Sequence, residues 1–479
     1  MSPRYVIELP AVAALIGVLV RPAIAQPPPA PPASVAAAGL PAPPADATDA
    51  ALDVLVAEAL GHSPDLLAAA DALAAAEARP AQLRALPDPM LSVQYTNDGW
   101  QPTLGEREMT TLAFMGSQAL PWPGKRDLRA TVAGRDAALA KEQVERARLS
   151  LAAAVKRAFW GLALARETLA LLGEQRGIWQ DAEAVARGRY VVGQGAQQDV
   201  LRAQVEITRY EQLRAEQEAQ VAVRQAELNR LLNRPADAAS PETPRLRLRP
   251  RVAELAESWA EAEARSPELR ATAVQREREK AALELARADF RPDLTVQAGY
   301  MNRGGLDAMW QAGVSVNLPV QRERRRAAVA EAEARGRGAA RQAEAVRAQL
   351  RYRTQERLAQ LHAAETLARL YREGVVPQAR LAYEAALASY QTGKVPFLTV
   401  LEALSSLYAD RASELQVTAA HERIKVALDE ASLEATSEVP SVGGSAVGAT
   451  ASMAKAATAM PAAGAGTPAA SPAMGPMGQ

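Results

Sequence analysis

The sequence RYVVGQGAQQDVL, at Arg189–Leu201, returns in altered form as SYQTGKVPFLTVL at Ser389–Leu401. Two other landmarks repeat in the same order, each about 200 residues apart: Ser63-Pro64 with Ser266-Pro267, and Leu120-Pro121 with Leu318-Pro319. Landmarks that repeat in one order and at one spacing indicate a duplicated structural unit.

Long helical stretches flank both versions of this segment. Residues 125–190 contain no proline, and residues 322–390 contain only Pro377. A continuous helix of roughly 65 residues would be about 100 Å long, because each residue adds about 1.5 Å. Beyond each glycine-containing turn a second helical stretch follows, to about Asn233 and about Glu434. The pattern therefore predicts two long antiparallel hairpins, with tips near Gly193 and Gly393.

Two strands are expected before each hairpin, at about 90–97 and 110–120 in the first unit and at about 293–301 and 309–318 in the second. Leu294, Val296 and Ala298, for example, alternate with small or polar residues. Such alternation is typical of a strand with one apolar face. The fold class expected is therefore an α+β membrane protein, built from a duplicated unit of two strands, a long helix and a returning helix.

Composition and local pattern divide the chain into segments. An apolar run followed by Ala23-Ile24-Ala25 predicts a signal peptide over 1–25, with an uncleaved N-terminal anchor as the alternative. The remaining segments are a Pro/Ala-rich linker (26–47), a first repeat (48–233) whose strands follow short helices, an inter-repeat linker (234–250), a second repeat (251–434) and a disordered tail (435–479).

The four strands are few for a membrane protein. No apolar stretch after the N-terminus is long enough for a membrane helix, so a crossing would require a β-barrel. Barrels formed by one chain need at least about eight strands. The chain is therefore expected to share a barrel with copies of itself, and the alternative is a small soluble sheet packed on helices.

On the duplicated turns, the chain from about Leu52 to Glu434 resembles the TolC-type outer-membrane efflux channel family. The segment Pro121-Trp122-Pro123-Gly124-Lys125-Arg126 is similar to the strand-to-helix corner of members that serve heavy-metal efflux. The resemblance implies a homotrimer in the outer membrane of a Gram-negative bacterium. Its 12-stranded β-barrel would be embedded in outer-membrane lipid and continue into a 12-helix α-barrel in the periplasm. The partners implied are a periplasmic adaptor protein and an inner-membrane pump.

The resemblance also assigns roles to residues at the turns. Glu402 and Thr399 are the candidates for a pore gate, although a solvated helix carboxylate is the alternative for Glu402. Asp199 is expected to cap the returning helix of the first repeat. The residues expected at the periplasmic tip, where the adaptor would bind, are Gly193, Gly195, Asp199, Val200, Leu201, Gly393, Val400 and Leu401.

Other kinds of site are not indicated. The 55 basic and 55 acidic residues cancel, so no positive field favours nucleic acid, and the chain has no cysteine. His62, His362 and His421 lack metal-ligand spacing and are expected on helix surfaces. We expect no cofactor and no enzymatic activity. Four tail methionines carry soft thioether ligands that suit Cu(I) or Ag(I), with chance enrichment as the alternative: Met453, Met460, Met474 and Met477.

The function expected from these features is that of a passive exit duct, which carries heavy-metal cations such as copper or silver, or drugs, from adaptor and pump to the exterior. The alternative is a periplasmic adaptor or coiled-coil scaffold without a pore. An adaptor should carry one helical hairpin between compact β-domains, whereas this chain has two hairpins, each preceded by strands. A secreted enzyme with a helical accessory domain is a more distant third possibility.

Overall fold

The computed structural model of the chain describes residues 47–103, 107–251 and 254–434. The expected signal peptide, nearly all of the Pro/Ala-rich linker and the methionine-containing tail lie outside the described residues. So do the four tail methionines proposed as metal ligands.

The order of elements is the same in the two halves of the chain. The first half comprises α1 (Ala47–His62), α2 (Pro64–Arg84), β1 (Met90–Thr96), β2 (Thr111–Leu120), α3 (Lys125–Val191) and α4 (Gln197–Leu231). The second comprises α5 (Leu255–Arg265), α6 (Pro267–Ala288), β3 (Asp293–Arg303), β4 (Leu306–Asn317), α7 (Arg322–Leu370), α8 (Val376–Gln391) and α9 (Phe397–Glu430). α2 and α6 even begin alike, since the hydroxyls of Ser63 and Ser266 accept a backbone hydrogen bond at each N-cap and a proline follows.

The four strands form one antiparallel sheet in the order β1-β2-β3-β4. β2 and β3 pair across the two repeats, whereas β1 and β4 are the free edges of the sheet in the described part of the chain. β4 begins at Leu306, earlier than the 309 expected, because Gly304 has a φ of 68° and closes the hairpin in two residues. Apolar side chains of the sheet are exposed in the single chain, including Leu91 at 76% and Trp310 at 80%.

The long helix of the first repeat is α-helical throughout, and that of the second contains a π-helical segment. α3 has 67 residues, equivalent to about 100 Å. In the second repeat the helix continues from α7 to α8 through a π-helical segment, Tyr371–Val375. No helix in the described ranges combines the length and apolar character needed to cross a bilayer.

Two features of the sequence explain the π-helical segment. The spacing between the repeats is 198 residues at the Leu120/Leu318 corners but 200 at Tyr190/Tyr390, so the second repeat contains extra residues between these points. A π-helical turn absorbs such an insertion without ending the helix. Pro377, the second residue of α8, has no N–H to donate to the carbonyl of Glu373, four residues earlier in the π-helical segment.

Packing between the repeats places α3 at the centre of the helical part. α3 contacts α2 and α4 of its own repeat and α6 and α9 of the other, and α6 and α9 in turn contact α7. One apolar core surrounds Phe159 and Leu228, and a second lies nearer the hairpin tips around Trp179 and Phe397. The two repeats are therefore joined along their helices as well as through the sheet.

A buried lysine joins the repeats where sheet and helices meet. Lys125, at the start of α3, is only 3% exposed, and its Nζ donates to the Arg291 carbonyl at 2.8 Å and to Asp293 Oδ1 at 3.0 Å. The same Asp293 oxygen accepts the backbone N–H of Trp122 at 2.8 Å. A buried charge is tolerated when it is paired and hydrogen-bonded in this way.

His421 is not on a helix surface, so the expectation for this residue is wrong. It is fully buried on α9, with Nε2 3.2 Å from Glu365 of α7 and Nδ1 3.4 Å from Glu422. The inter-repeat linker covers this region, because Arg249 pairs with Glu422 at 3.3 Å. His62 and His362 are exposed. Burial by itself would raise the pKa of Glu422, but hydrogen bonding to His421 and the nearby cations Lys425 and Arg249 lower it overall.

We predict that Glu422→Gln destabilises the protein at pH 7 by about 1–3 kcal/mol, because a charged hydrogen-bond acceptor is lost. A carboxylate with a lowered pKa in the folded state stabilises the fold above its unfolded pKa of about 4.3, and this contribution is lost as pH falls through the folded pKa. The difference in thermal unfolding between wild type and variant should therefore be large at pH 7 and shrink towards pH 3. Glu323→Gln, at a carboxylate 85% exposed, is the control and should change little. An equal difference at both pH values for Glu422→Gln would contradict the prediction.

Candidate functional site at the hairpin tips

The two hairpin turns share one backbone geometry. Gly193 and Gly393 have φ values of 74° and 76°, a region that favours glycine. Their N–H groups donate to the carbonyls of Tyr190 at 3.0 Å and Tyr390 at 2.9 Å. The duplicated glycines therefore serve the same purpose, which is to end the long helix and start the return.

Gly195 is required for a different reason. A Cβ atom at this position would lie 3.0 Å from Arg189 Cβ and 3.1 Å from the backbone nitrogen of Tyr190. The first turn is folded back closely on the end of α3, so a side chain at this position would require the end of α3 to shift by a few tenths of an ångström. The second repeat has Val395 at the corresponding position, and this side chain is half-buried.

The tips of the two repeats are joined by a tyrosine–aspartate hydrogen bond. Tyr390, at the end of α8, is 3% exposed, and its hydroxyl donates to Asp199 Oδ2 at 3.0 Å. The expectation that Asp199 caps α4 is wrong, because the N-cap residue is Ala196 and no side chain caps the helix there. Asp199 is the third residue of α4, and its carboxylate accepts from a buried hydroxyl that needs an acceptor.

Arg189 packs against Tyr390 in this contact between the tips. Its guanidinium carbon lies 4.7 Å from the centre of the Tyr390 ring, and one of its terminal nitrogens donates to the Gln194 carbonyl at 2.9 Å. Burial, followed by the hydrogen bond to Asp199, raises the pKa of Tyr390 to about 12. Tyr390 thus stays protonated, as a hydrogen-bond donor, over the physiological pH range.

The apolar residues expected at the tips differ between the repeats. Val400 and Leu401 of α9 are buried, at 0% and 9% exposure, in the cluster that contains Phe397. Val200 of the first repeat is only half-buried, and Leu201 is 52% exposed. We call the exposed apolar side chains of the first tip the tip patch: Tyr190, Val191, Val192, Leu201 and Val205.

The two gate candidates lie together on α9. Thr399 and Glu402 are both exposed and are one helical turn apart, and the described residues give Glu402 no ion-pair or hydrogen-bond partner. The same face continues to Ser406 and Asp410, whose side chains are joined at 3.4 Å. Burial raises the pKa of Asp410. Among the described residues, the side chain of Asp199 is hydrogen-bonded to Tyr390 and not to Thr399 or Glu402.

The sequence did not predict a role in the site for three residues: Tyr390, Arg189 and Asp410. The repeated tyrosine of the two turns is the one signal that pointed to Tyr390. Over the described residues, no group of His, Asp and Glu side chains is arranged to hold a metal ion.

We predict that Tyr390→Phe loosens the joint between the tips, because the hydrogen bond to Asp199 is lost while the ring packing is kept. A net loss of about 1 kcal/mol corresponds to roughly fivefold faster amide hydrogen exchange at the start of α4. Tyr190→Phe is the matched control, since Tyr190 occupies the same turn position but is 46% exposed. Equal exchange in the two variants would show that the hydroxyl contributes nothing to the joint.

Comparison with solved structures shows the same fold. A membrane protein from Pseudomonas aeruginosa is 22% identical, with a TM-score of 0.69, over 81% of this chain and 94% of that one. The outer membrane protein VceC of Vibrio cholerae is 21% identical, with a TM-score of 0.68, over 80% and 96%. CusC, described as forming a transmembrane channel, is 18% identical, with a TM-score of 0.66, over 79% and 91%. A search of curated proteins found no match.

The sequence also matches a known protein family. The match covers residues 55–234 and 259–432, which correspond to the two repeats, and the family is described as outer membrane efflux protein. Its members are channels and not enzymes. On this match over most of its length, the chain belongs to the outer membrane efflux protein family.

Proposed function

We propose that the protein is the outer-membrane exit duct of a tripartite efflux system and works as a homotrimer. The observation that carries the proposal is a four-stranded sheet, open at both edges and with exposed apolar side chains, joined directly to helical hairpins about 100 Å long. The sheet would lie in the outer membrane of a Gram-negative bacterium, and the hairpins would extend into the periplasm.

The free edges of the sheet support the trimer. In lipid, the unpaired N–H and C=O groups of β1 and β4 would each cost several kcal/mol. Three copies, paired edge to edge, supply 12 strands and leave no edge. The exposed Leu91, Val93 and Val314 side chains then contact hydrocarbon, which suits them better than water.

The helices support a tunnel continuous with this barrel. Each chain offers four helical columns: α3, α7 with α8, and the two shorter pairs α2/α4 and α6/α9. Three chains would arrange these columns as a 12-helix barrel around a water-filled path. Transport through such a tunnel is passive, and the energy would come from an inner-membrane pump.

The hairpin tips are the proposed contact with a periplasmic adaptor. The tip patch places apolar side chains, among them Val191 at 76% and Val192 at 66% exposure, where the hairpin ends. Exposed apolar groups of this kind mark interaction surfaces. Gly193, Gly195 and Gly393 shape the turns that present the patch, Val400 and Leu401 support them from inside, and Asp199 joins the two tips.

Glu402 is the proposed gate residue, with Thr399 one turn before it. In a trimer, three copies of Glu402 form a ring of carboxylates that attracts cations. Thr399 adds no charge, so only one charged ring is expected at this level. Opening of the tip would separate the hairpins, and this movement must shift the hydrogen bond between Tyr390 and Asp199.

The proposed cargo is heavy-metal cations such as copper or silver, or drugs. The resemblance of the Pro121–Arg126 corner to heavy-metal efflux members favours the metal ions, and so does a cation-attracting ring at Glu402. The tail thioethers Met453, Met460, Met474 and Met477 would offer soft ligands to the same ions.

The first test is single-channel conductance of the full chain, extracted from outer membranes and placed in planar bilayers. We predict a cation-selective pore in the wild type. Glu402→Ala should lower the cation-to-anion permeability ratio by a factor of about two or more, because the three carboxylates of the proposed ring are lost. Glu218→Ala is the control, since it removes an exposed carboxylate in the middle of α4.

The outcomes separate the parts of the proposal. Unchanged selectivity in Glu402→Ala would keep the duct and exclude Glu402 as the gate. A folded, membrane-extracted protein without any conductance would favour the alternative function, a periplasmic adaptor or coiled-coil scaffold without a pore.

A further inference from the structure

The joint between the two repeats within one chain provides a pattern for the joint between copies. Within the chain, β2 of the first repeat pairs with β3 of the second, with Leu120 opposite Leu294. Next to this pair, Asp293 accepts from Trp122 N–H and from Lys125. The linker between α6 and β3 therefore lies against the corner between β2 and α3.

The strand registers define which residues correspond between the repeats. Met90 of β1 is opposite Ser117 of β2, and Thr295 of β3 is opposite Ser315 of β4. If Leu120-Pro121 corresponds to Leu318-Pro319, as the sequence indicates, then Ser117 corresponds to Ser315 and Met90 to Thr295. Counting back from the pair Met90 and Thr295, Pro89 corresponds to Leu294 and Asp88 to Asp293.

The corresponding surfaces at the two free edges are uncovered. Leu318 and Val320, at the corner between β4 and α7, are 66% and 79% exposed, whereas their counterparts Leu120 and Trp122 are half-buried. On the other edge of the sheet, Met90 at the start of β1 is 71% exposed. Each edge thus has half of the contact that joins the repeats inside the chain.

The charges of the two edges are complementary. The corner between β4 and α7 carries four arginines and one glutamate, Arg322, Glu323, Arg324, Arg325 and Arg326. Arg324 borders a cavity of about 470 Å³ and has no ion-pair partner among the described residues. Asp88, in the linker between α2 and β1, is exposed and is likewise unpaired in the described part of the chain.

We infer that the linker between α2 and β1 of one copy binds the corner between β4 and α7 of the next, with Asp88 of the first copy paired to Arg324 of the second. The inference rests on the trimer of the proposed function and specifies its contact. The residue that corresponds to Lys125 in the second repeat is Glu323, which cannot pair with an aspartate. The cation that pairs with the aspartate is therefore Lys125 inside the chain and Arg324 between copies. Pairing between copies puts Pro89 opposite Leu318, as Leu294 lies opposite Leu120.

Cysteine cross-linking tests this contact in a chain that has no native cysteine. Strand neighbours are separated by about 4.5–5.5 Å between Cα atoms, which a disulfide can span. Pro89→Cys with Leu318→Cys in one chain should form disulfides in the oxidising periplasm and yield covalent dimers and trimers on non-reducing gels. The matched control is Leu120→Cys with Leu294→Cys, which should link only within the chain and remain monomeric.

Charge reversal provides a second test that needs no disulfide. Asp88→Arg alone should lower the yield of trimer by about fivefold, and so should Arg324→Asp alone, because like charges then face each other. The double variant should recover most of the yield. Circular dichroism of each variant checks that the chain is folded.

The results distinguish this contact from the proposed function. A conducting trimer that neither cross-links at residues 89 and 318 nor responds to charge reversal would overturn the contact and keep the duct. A wild-type protein that forms no trimer and conducts no ions would overturn both the contact and the proposed duct. Cross-linked trimers, together with rescue by the double charge reversal, would establish the contact.

Discussion

Backbone hydrogen bonding at the edges of a four-stranded sheet is the constraint on which the rest of this structure depends. β1 and β4 each present unpaired N–H and C=O groups, and the sheet exposes large apolar side chains such as Trp310. Water can hydrogen-bond the backbone groups but does not favour the apolar side chains. Lipid favours the apolar side chains but cannot hydrogen-bond the backbone groups. Pairing with further copies would satisfy both, which is why we propose that the sheet and the long helices attached to it form one third of a larger assembly.

The duplication gives one chain two similar sets of contact surfaces. The contact between β2 and β3, with the buried Lys125 beside it, joins the two repeats inside the chain. The corresponding strands of the other repeat, β1 for β3 and β4 for β2, form the outer edges of the sheet. A repeated unit that binds its own second copy through one surface has a similar surface left for the next chain, and a head-to-tail contact of this kind closes into a ring when the rotation allows it.

The two repeats differ where the chain has to be asymmetric. Tyr390 is buried and bonded to Asp199, whereas Tyr190 is half-exposed. Arg189 stacks on Tyr390, and its counterpart Ser389 cannot do so. Tyr390 therefore joins the second tip to the first, whereas Tyr190 belongs to the exposed tip patch.

Local pattern was enough to predict the hairpins, the four strands and the turn glycines, since helix length, strand alternation and positive φ depend on neighbouring residues. Pairings between distant residues were not accessible in this way. Asp199 bonds to Tyr390 instead of capping its own helix, His421 is buried against Glu365, and the second long helix contains a π-helical segment. Each of these depends on which side chains the folded chain brings together across the two repeats, and on the extra residues that the second helix must absorb.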